Sequence, residues 1–307
     1  MDITRRQLIA GGIGLTASMG LPLGAEAGAR GFRFVHITDL HIQPELGAPE
    51  GVAKAVQKIL GLNPRPNFIV TGGDHIMDGL DVTRERADLQ FKLVKEALKP
   101  LEMPIYYTVG NHDIFGWARK GGNDSKEPGY GKQLFQEKVI AGRTYRSFDF
   151  GDWHFIILDS IQAVSPQGWI AEIDDDQLEW LRQDLIQTGK QRPIILLSHV
   201  PIMTLFNQYA ENTTTAPTAT GIVKNGKEVR DYFVPYNVKA VLQGHTHVVE
   251  DCLYTGTHYI TSGAICGEWW EGYRLGVHPE GFAVCDVRGD KFDWQYVSYG
   301  WKAKKGR

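Results

Sequence analysis

IYYTVGNHD, residues 105–113, is the stretch from which the fold of this chain can be deduced. Its β-branched and aromatic first half, Ile105–Val109, predicts a buried strand. The strand stops at Gly110, and an amide, an imidazole and a carboxylate follow it. Open α/β sheets bind ligands just beyond the carboxyl ends of their strands. The stretch therefore predicts either a functional site or a capped turn, depending on whether other strands end in the same way.

Four more apolar runs end in polar groups of the same kind. They are Phe32–Thr38 before Asp39 and His41, Phe68–Thr71 before Asp74, Pro193–Leu197 before His199, and Val238–Leu242 before His245 and His247. Helical periodicity at 50–62 and 83–98 separates the first three strands, which predicts a β-α-β-α-β order and a largely parallel sheet. The segments after His247, to about Ser298, predict antiparallel strands of a second sheet. We therefore expect the polar strand ends to meet at one edge.

The donor types at these strand ends favour metal binding. A lone histidine or aspartate after a strand is usually structural, but five such ends in one chain indicate a shared site. Imidazole, carboxylate and amide oxygen without thiolate suit ions such as Fe, Mn or Zn. There are too many donors for one tetrahedral ion, and a pair of ions can activate water and clamp the oxygens of a displacement at phosphorus. The sequence therefore predicts two metal ions.

The five blocks resemble the signature of the calcineurin-like metallophosphoesterases. The matching stretches are Asp39-Leu40-His41, Gly73-Asp74, Gly110-Asn111-His112-Asp113, His199-Val200-Pro201 and Gly244-His245-Thr246-His247. They occur in the family's order and span about residues 32 to 250. The resemblance implies an α/β fold, namely a four-layer αββα sandwich of two mixed β-sheets with a dimetal site at the C-terminal strand edges.

The resemblance also implies roles for individual residues. It gives the first ion the ligands Asp39, His41, Asp74 and His247, and the second ion Asp74, Asn111, His199 and His245. Asp74 would bridge the ions, as would a hydroxide that attacks the phosphorus of a phosphomonoester or phosphodiester. His112 would face the leaving oxygen as a general acid or hydrogen-bond donor, with either Asp113 or Asp78 orienting it. The alternative is a related protein that binds metal or phosphate without turnover.

Two positions that differ from the family pattern argue against two of its subclasses. Met77 stands where purple acid phosphatases have a tyrosine ligand, and Asp78-Gly79-Leu80 replaces the Asp-Arg-Gly of protein serine/threonine phosphatases. His75 is a less favoured extra ligand, because adjacent side chains on an extended chain point apart. The pair Trp269-Trp270 is expected either to line a substrate pocket or to pack in the core.

Composition places few limits on the partner. The chain has 307 residues, of which 42% are hydrophobic and 22% charged, and its net charge is −3. No nucleic acid partner is expected from this charge, and the expected partner is a small-molecule phosphoester. Three cysteines without a close pair predict neither a disulfide framework nor a zinc–thiolate site, although one disulfide is compatible with an oxidising compartment.

The N-terminus predicts export. Residues 4–9, TRRQLI, form a twin-arginine motif, an apolar glycine-rich segment runs to Leu23, and Ala25-Glu26-Ala27 fits a cleavage site. The apolar segment is shorter than a spanning helix needs, so we expect a cleaved signal over 1–27 and no stable membrane anchor, with an uncleaved anchor as the alternative. Residues 28–307 would form a single domain with antiparallel C-terminal strands. The twin-arginine export machinery would deliver it to a periplasmic or secreted location.

Overall fold

A computed structural model describes residues 31–118, 125–164 and 168–304. The export segment predicted at 1–27 lies outside the described residues. Within them, no helix is both long and apolar enough to cross a membrane.

The first of two large mixed sheets holds the first three predicted strands. Its strands, in chain order, are β1 (Phe32–Ile37), β2 (Phe68–Thr71), β3 (Ile105–Tyr106), β12 (Gly281–Arg288) and β13 (Lys291–Ser298). Their order across the sheet is β13-β12-β1-β2-β3, and β1, β2 and β3 are parallel. The parallel strands therefore direct their carboxyl ends to the same edge.

The second large sheet holds the other two ligand-bearing strands. Its members are β4 (Arg146–Phe150), β5 (Trp153–Ile157), β8 (Ile194–Leu197), β9 (Val238–Gln243), β10 (Val249–Tyr254) and β11 (Thr257–Ser262). They are ordered β10-β11-β9-β8-β5-β4, with β5, β8, β9 and β11 parallel. A small hairpin of β6 (Ile161–Ala163) and β7 (Trp169–Ala171) lies apart from both sheets.

Six α-helices connect these strands among the described residues. They are α1 (Ala48–Leu60), α2 (Arg84–Leu98), α3 (Gln133–Lys138), α4 (Asp175–Thr188), α5 (Phe206–Ala210) and α6 (Gly226–Phe233). Thr83 caps α2 by accepting a hydrogen bond from the Arg86 N–H, and Asp174 caps α4 by accepting one from the Gln177 N–H. The starts of α2 and α4 are therefore marked in the sequence by capping residues.

Alternation along the strands creates the four layers. Residues such as Phe34, Phe68 and Leu197 are buried in one apolar cluster between the two sheets. Their neighbours Val35 and Ile69 belong instead to the cluster that includes the apolar faces of the helices. Strands covered on both faces read as continuous apolar runs, which explains why β1, β2 and β8 were visible in the sequence. The fold is the αββα sandwich that the family resemblance implied.

Two local expectations were wrong. The strand expected at Ile105–Val109 is only two residues long and half-buried, because it forms an edge of its sheet. The C-terminal strands do not form one new sheet: β12 and β13 extend the first, and β10 and β11 extend the second. The Gln177 side chain, in the first turn of α4, donates to the Asp159 carbonyl and accepts from the Asp159 N–H.

Candidate metal centre

The polar strand ends converge from both sheets rather than from one. Backbone hydrogen bonds join the loops after β1 and β2, with the Asp39 N–H donating to Gly73 O at 3.0 Å and the His41 N–H donating to Asp74 O at 3.1 Å. The loop after β9 joins them where the His245 N–H donates to both carboxylate oxygens of Asp39, at 3.0 and 3.1 Å. The loops are thus fixed to one another by their own backbones.

A first group of donor atoms surrounds His41. Its Nε2 lies 3.1 Å from Nε2 of His247, 3.8 Å from Oδ1 of Asp39 and 3.5 Å from Oδ2 of Asp74. All four residues are buried. These four residues are the ones that the family resemblance implied as ligands of the first ion.

A second group shares one of these atoms. Oδ2 of Asp74 lies 3.1 Å from Nε2 of His199, which is itself 3.0 Å from Oδ1 of Asn111. Donor atoms of Asp74, His199 and His245 all lie within 4.8 Å of one another. The other Asp74 oxygen, Oδ1, accepts a hydrogen bond from the His112 N–H. Oδ2 of Asp74 is therefore the atom common to both groups.

The chemistry of these donors fits bound cations. Nδ1 of His199 donates to Gly72 O at 2.7 Å, and Nδ1 of His247 donates to Gly267 O at 2.8 Å. In the neutral imidazoles the Nε2 atoms then carry lone pairs, which face the carbonyl oxygen of Asn111 and the carboxylate of Asp39. Acceptors that face each other at such distances need either a proton or a bound cation between them. A second contact of each histidine that fixes its tautomer is usual for metal ligands.

Electrostatics within the cluster attracts positive charge. Burial, the largest single influence, lowers the pKa of His199, but the combined effect of Asp74, Asp39 and the bond to Gly72 raises it to about 9. Burial lowers the pKa of His41 to about 4 and, with help from His199, that of His245 to about 3. Burial opposes ionisation of Asp74, yet the surrounding histidines hold the pKa of its carboxyl below its usual range. Burial also lowers the pKa of His247, but Cys266 and Asp39 together raise it above its usual value. The cluster thus combines ionised carboxylates with two neutral imidazoles, His41 and His245, and two that favour positive charge, His199 and His247.

The backbone is strained at the predicted ligands. Non-glycine residues rarely adopt positive φ, yet five predicted ligands do so: Asp39 (52°), His41 (40°), Asp74 (51°), His245 (72°) and His247 (62°). Such conformations persist where surrounding structure enforces them, and they concentrate at functional sites. Gly110 and Gly244 are needed for space, because a Cβ at either position would collide with Asp74 or Asp39.

His112 lies beside the first group with one nitrogen free. Its ring centroid is 4.8 Å from that of His41, and its Nδ1 donates to Met77 O at 2.7 Å. Asp78, one of its two expected partners, lies farther away, with Oδ1 3.9 Å from Nδ1. The Asp78 carboxylate accepts instead from the Leu80 N–H at 2.8 Å. The Met77 carbonyl thus fixes the tautomer and leaves Nε2 available.

Asp113, the other expected partner of His112, is engaged elsewhere. Its Oδ2 lies 2.9 Å from Nδ1 of His75 and accepts from the Gly110 N–H, while Oδ1 accepts from the His75 N–H. Nε2 of His75 lies 2.7 Å from Oγ1 of Thr71. The structure therefore assigns neither the expected role to Asp113 nor the extra-ligand role to His75. Both side chains hold the turn of Asn111 against the loop after β2.

Aromatic residues divide between the site and the core. The Trp269 ring lies 4.1 Å from that of His41 and 5.2 Å from that of His112, whereas Trp270 is buried and donates to His41 O. Trp169 of the β6–β7 hairpin lies 5.9 Å from His245 and was missed by sequence reasoning, since nothing near it in the chain marks a site. One tryptophan of the expected pair thus borders the centre and the other packs in the core.

The cysteines and remaining histidines have other surroundings. All three cysteines are free. Sequence reasoning did not place Cys266 near the site, but this residue is buried with its Sγ 3.7 Å from Nδ1 of His247. His154 lies remote from the cluster, 2.7 Å from each of Asp149 and Asp184.

Comparison with known proteins identifies the family. Residues 32–249 match the calcineurin-like phosphoesterase family Metallophos, and the chain belongs to this family. Hydrolysis of phosphoesters in general is the activity that the family and its named relatives support.

Similar proteins include both a phosphatase and a phosphodiesterase. The Bos taurus serine/threonine-protein phosphatase CPPED1 is 29% identical over 257 residues, covering 82% of this chain and 74% of that protein. The Pseudomonas aeruginosa 3',5'-cyclic adenosine monophosphate phosphodiesterase CpdA is 24% identical over 247 residues, covering 78% of each. Among solved structures, GAP50, the anchor in the inner membrane complex of Plasmodium, has a TM-score of 0.52 at 16% identity, covering 90% of this chain and 86% of that one. This last similarity concerns the fold.

Proposed function

We propose that the chain is a dimetal-dependent phosphoester hydrolase. The observation that carries the proposal is the position of Asp74, whose Oδ2 lies 3.5 Å from Nε2 of His41 and 3.1 Å from Nε2 of His199. The Asp74 carboxylate thus lies between two groups of ligand atoms, where it would serve as a ligand shared by two ions. Asp39 and His247 complete the first group, and Asn111 and His245 the second.

The remaining side chains would act on the ester itself. Bound ions of Fe, Mn or Zn would supply Lewis acidity that activates water for attack and balances the charge of the phosphoryl oxygens. His112 holds its Nδ1–H on Met77 O, so Nε2 is the atom that can deliver a proton or hydrogen bond to the leaving oxygen. Trp269 covers the adjoining side of His41 and limits access of water there.

The proteins similar to this chain act on more than one type of phosphoester. Relatives named as a protein phosphatase and as a cyclic nucleotide phosphodiesterase act on a monoester and a diester. The sequence Asp78-Gly79-Leu80, which lacks the arginine of one phosphatase subclass, therefore does not by itself decide between these ester types. The twin-arginine motif supports a periplasmic or secreted enzyme exported by that machinery, with the metal acquired before export.

Metal-dependent turnover of aryl phosphate esters tests this function. Chain stripped with chelator is reloaded with Mn, Fe or Zn, and hydrolysis of an aryl phosphomonoester and a phosphodiester is followed with the metal content of each sample. We expect turnover only in loaded protein, and its loss in Asp74→Asn. Asp174→Asn is the matched control, because Asp174 caps α4 and asparagine caps helices equally well. Full activity after chelation, or in Asp74→Asn, would contradict the proposal.

The alternative is a binding protein without turnover. It predicts two bound ions by elemental analysis, or tight phosphate binding, with no hydrolysis of either ester. The position of His112 beside both His41 and Asp74 favours the enzyme, because a binding site has no use for a proton donor at this place.

A further inference from the structure

Two surface segments next to the metal centre expose large apolar side chains. One, 204–210, follows the ligand His199 along the chain, and the other, 271–278, follows Trp269. Of the eleven large hydrophobic side chains that are exposed among the described residues, five lie on these segments: Leu205, Tyr209, Tyr273, Leu275 and Val277. We name these five side chains the apolar rim. Isolated exposed apolar residues are ordinary, but a group of them marks an interaction surface.

Arg274 joins the two segments to each other and to the metal centre. Its guanidinium lies 5.5 Å above the ring of Phe206, a neighbour of Leu205. Its Nε donates at 3.1 Å to the carbonyl of Thr246, which stands between the predicted ligands His245 and His247. The apolar rim is therefore one surface bordering the loop that carries these ligands.

The second segment projects its apolar side chains from a turn. Arg274 and His278 form an antiparallel bridge that closes the turn, and Leu275 and Gly276 adopt φ of 51° and 72° within it. Leu275 is 42% exposed and Val277 69% exposed. The positive φ of Leu275 is strained, and it holds an apolar side chain in water. Both features reduce stability unless another surface covers the side chain.

The charges around the apolar rim favour an uncharged partner. Arg274 forms an ion pair with Glu268 at 2.7 Å, and the Glu250 carboxylate accepts from Thr204 Oγ1 and the Leu205 N–H. Glu271, also on this segment, is exposed and negative, which disfavours a strongly anionic surface. Tyrosines and aliphatic side chains at loop tips are suited to the boundary between headgroups and acyl chains of a bilayer.

We propose that the apolar rim docks on a lipid surface and that the ester hydrolysed at the adjacent centre is a phospholipid. This inference rests on the proposed function. In the reaction, a water oxygen bonds to phosphorus, the P–O bond to the lipid alcohol or headgroup breaks, and the released oxygen takes up a proton. No co-reactant other than water is needed. The rim would bring the centre to the plane in which phosphate groups lie.

Vesicle flotation and paired substrates test the proposal on the full-length, metal-loaded chain. The double variant Leu275→Ser/Val277→Ser removes apolar surface, and Ile186→Ser is the matched control, since Ile186 on α4 is 53% exposed away from the rim. Flotation uses phosphatidylcholine vesicles. Turnover is compared between long-chain phosphatidic acid in those vesicles and its water-soluble dihexanoyl analogue, with circular dichroism and metal content as checks of folding.

We expect the wild type and Ile186→Ser to float with the vesicles and the double variant to bind about tenfold more weakly. The ratio of vesicle to soluble-ester turnover should fall by a similar factor. Absence of wild-type flotation, or equal flotation of the double variant, overturns the proposal. It is also overturned if the wild type forms a concentration-dependent dimer, does not bind vesicles, and loses the dimer in the double variant. Flotation without hydrolysis of any ester, aryl phosphates included, supports docking and overturns the proposed function instead.

Discussion

Asp113→Asn separates a structural role from a catalytic one. The Asp113 carboxylate is fully buried and accepts hydrogen bonds from the Gly110 and His75 N–H groups, besides contacting the His75 ring. Asparagine has one acceptor oxygen, so either orientation of its amide turns an NH2 group towards one of these backbone donors. Since a buried donor left unsatisfied costs about 1–3 kcal/mol, and two opposed N–H groups add repulsion, we expect a loss of about 2–4 kcal/mol.

Denaturant unfolding of the metal-free chain measures this loss, because bound ions would add a stability of their own. A thermal scan should show a fall in Tm of about 5–12 °C. Asp78→Asn is the matched control. Its carboxylate is 31% exposed and accepts from Leu80 and Asp81 N–H groups in a local turn that asparagine also forms, so we expect less than about 0.5 kcal/mol.

The opposite result would refute this reasoning. If Asp113→Asn unfolds at the wild-type denaturant concentration, within about 0.5 kcal/mol, and still loses turnover, the residue acts in catalysis as the sequence suggested. If turnover falls only in proportion to the fraction of unfolded protein or of lost metal, the structural role stands.

Three further changes probe other parts of the molecule. His112→Asn should keep both ions and lose turnover most on esters with poor leaving groups; equal losses for aryl and alkyl esters would exclude proton donation from Nε2. Gly110→Ala should destabilise the fold by more than about 3 kcal/mol, because the added Cβ would overlap Asp74. The backbone φ of −109° suits alanine, so the overlap is the only expected cause. Stability equal to that of the wild type in urea would disprove the overlap. Burial lowers the pKa of His154, but Asp184 and Asp149 raise it by more, so the pKa is higher in the folded chain than in the unfolded one. The stability that His154 contributes is therefore complete below about pH 6.5 and is lost as pH rises through its pKa in the folded chain. Urea titrations at successive pH values should show that His154→Asn flattens this decline.

The sequence identified the strands and predicted ligands because both are local features. Each buried strand is a short apolar run, and Asp39, Asp74 and His199 lie shortly after the ends of three such strands, so position along the chain was sufficient to find them. Their distribution over two sheets was not visible from the residues alone, since β1 and β8 have the same pattern and only long-range pairing separates them. The family resemblance supplied that part of the fold.

Partners of side chains were harder to predict than positions. Asp113 is adjacent to His112 in sequence, and this proximity suggested contact, but in the short 3₁₀ turn of residues 111–113 the two side chains point to different neighbours. His112 uses a backbone carbonyl, that of Met77, which no residue type reveals. Trp169 reaches the site through a hairpin outside both sheets, so its proximity to His245 depends on tertiary structure alone.

The strained backbone at the predicted ligands is held by contacts within the protein itself. Positive φ at Asp39 and Asp74 is held by backbone bonds between the loops, by the His245 N–H on Asp39 and by the His112 N–H on Asp74, and protein groups alone make all of these bonds. Facing lone pairs add a repulsion that cations would relieve. Ion binding should therefore require little rearrangement of the loops, and its free energy should appear as added stability of the whole fold rather than as local ordering.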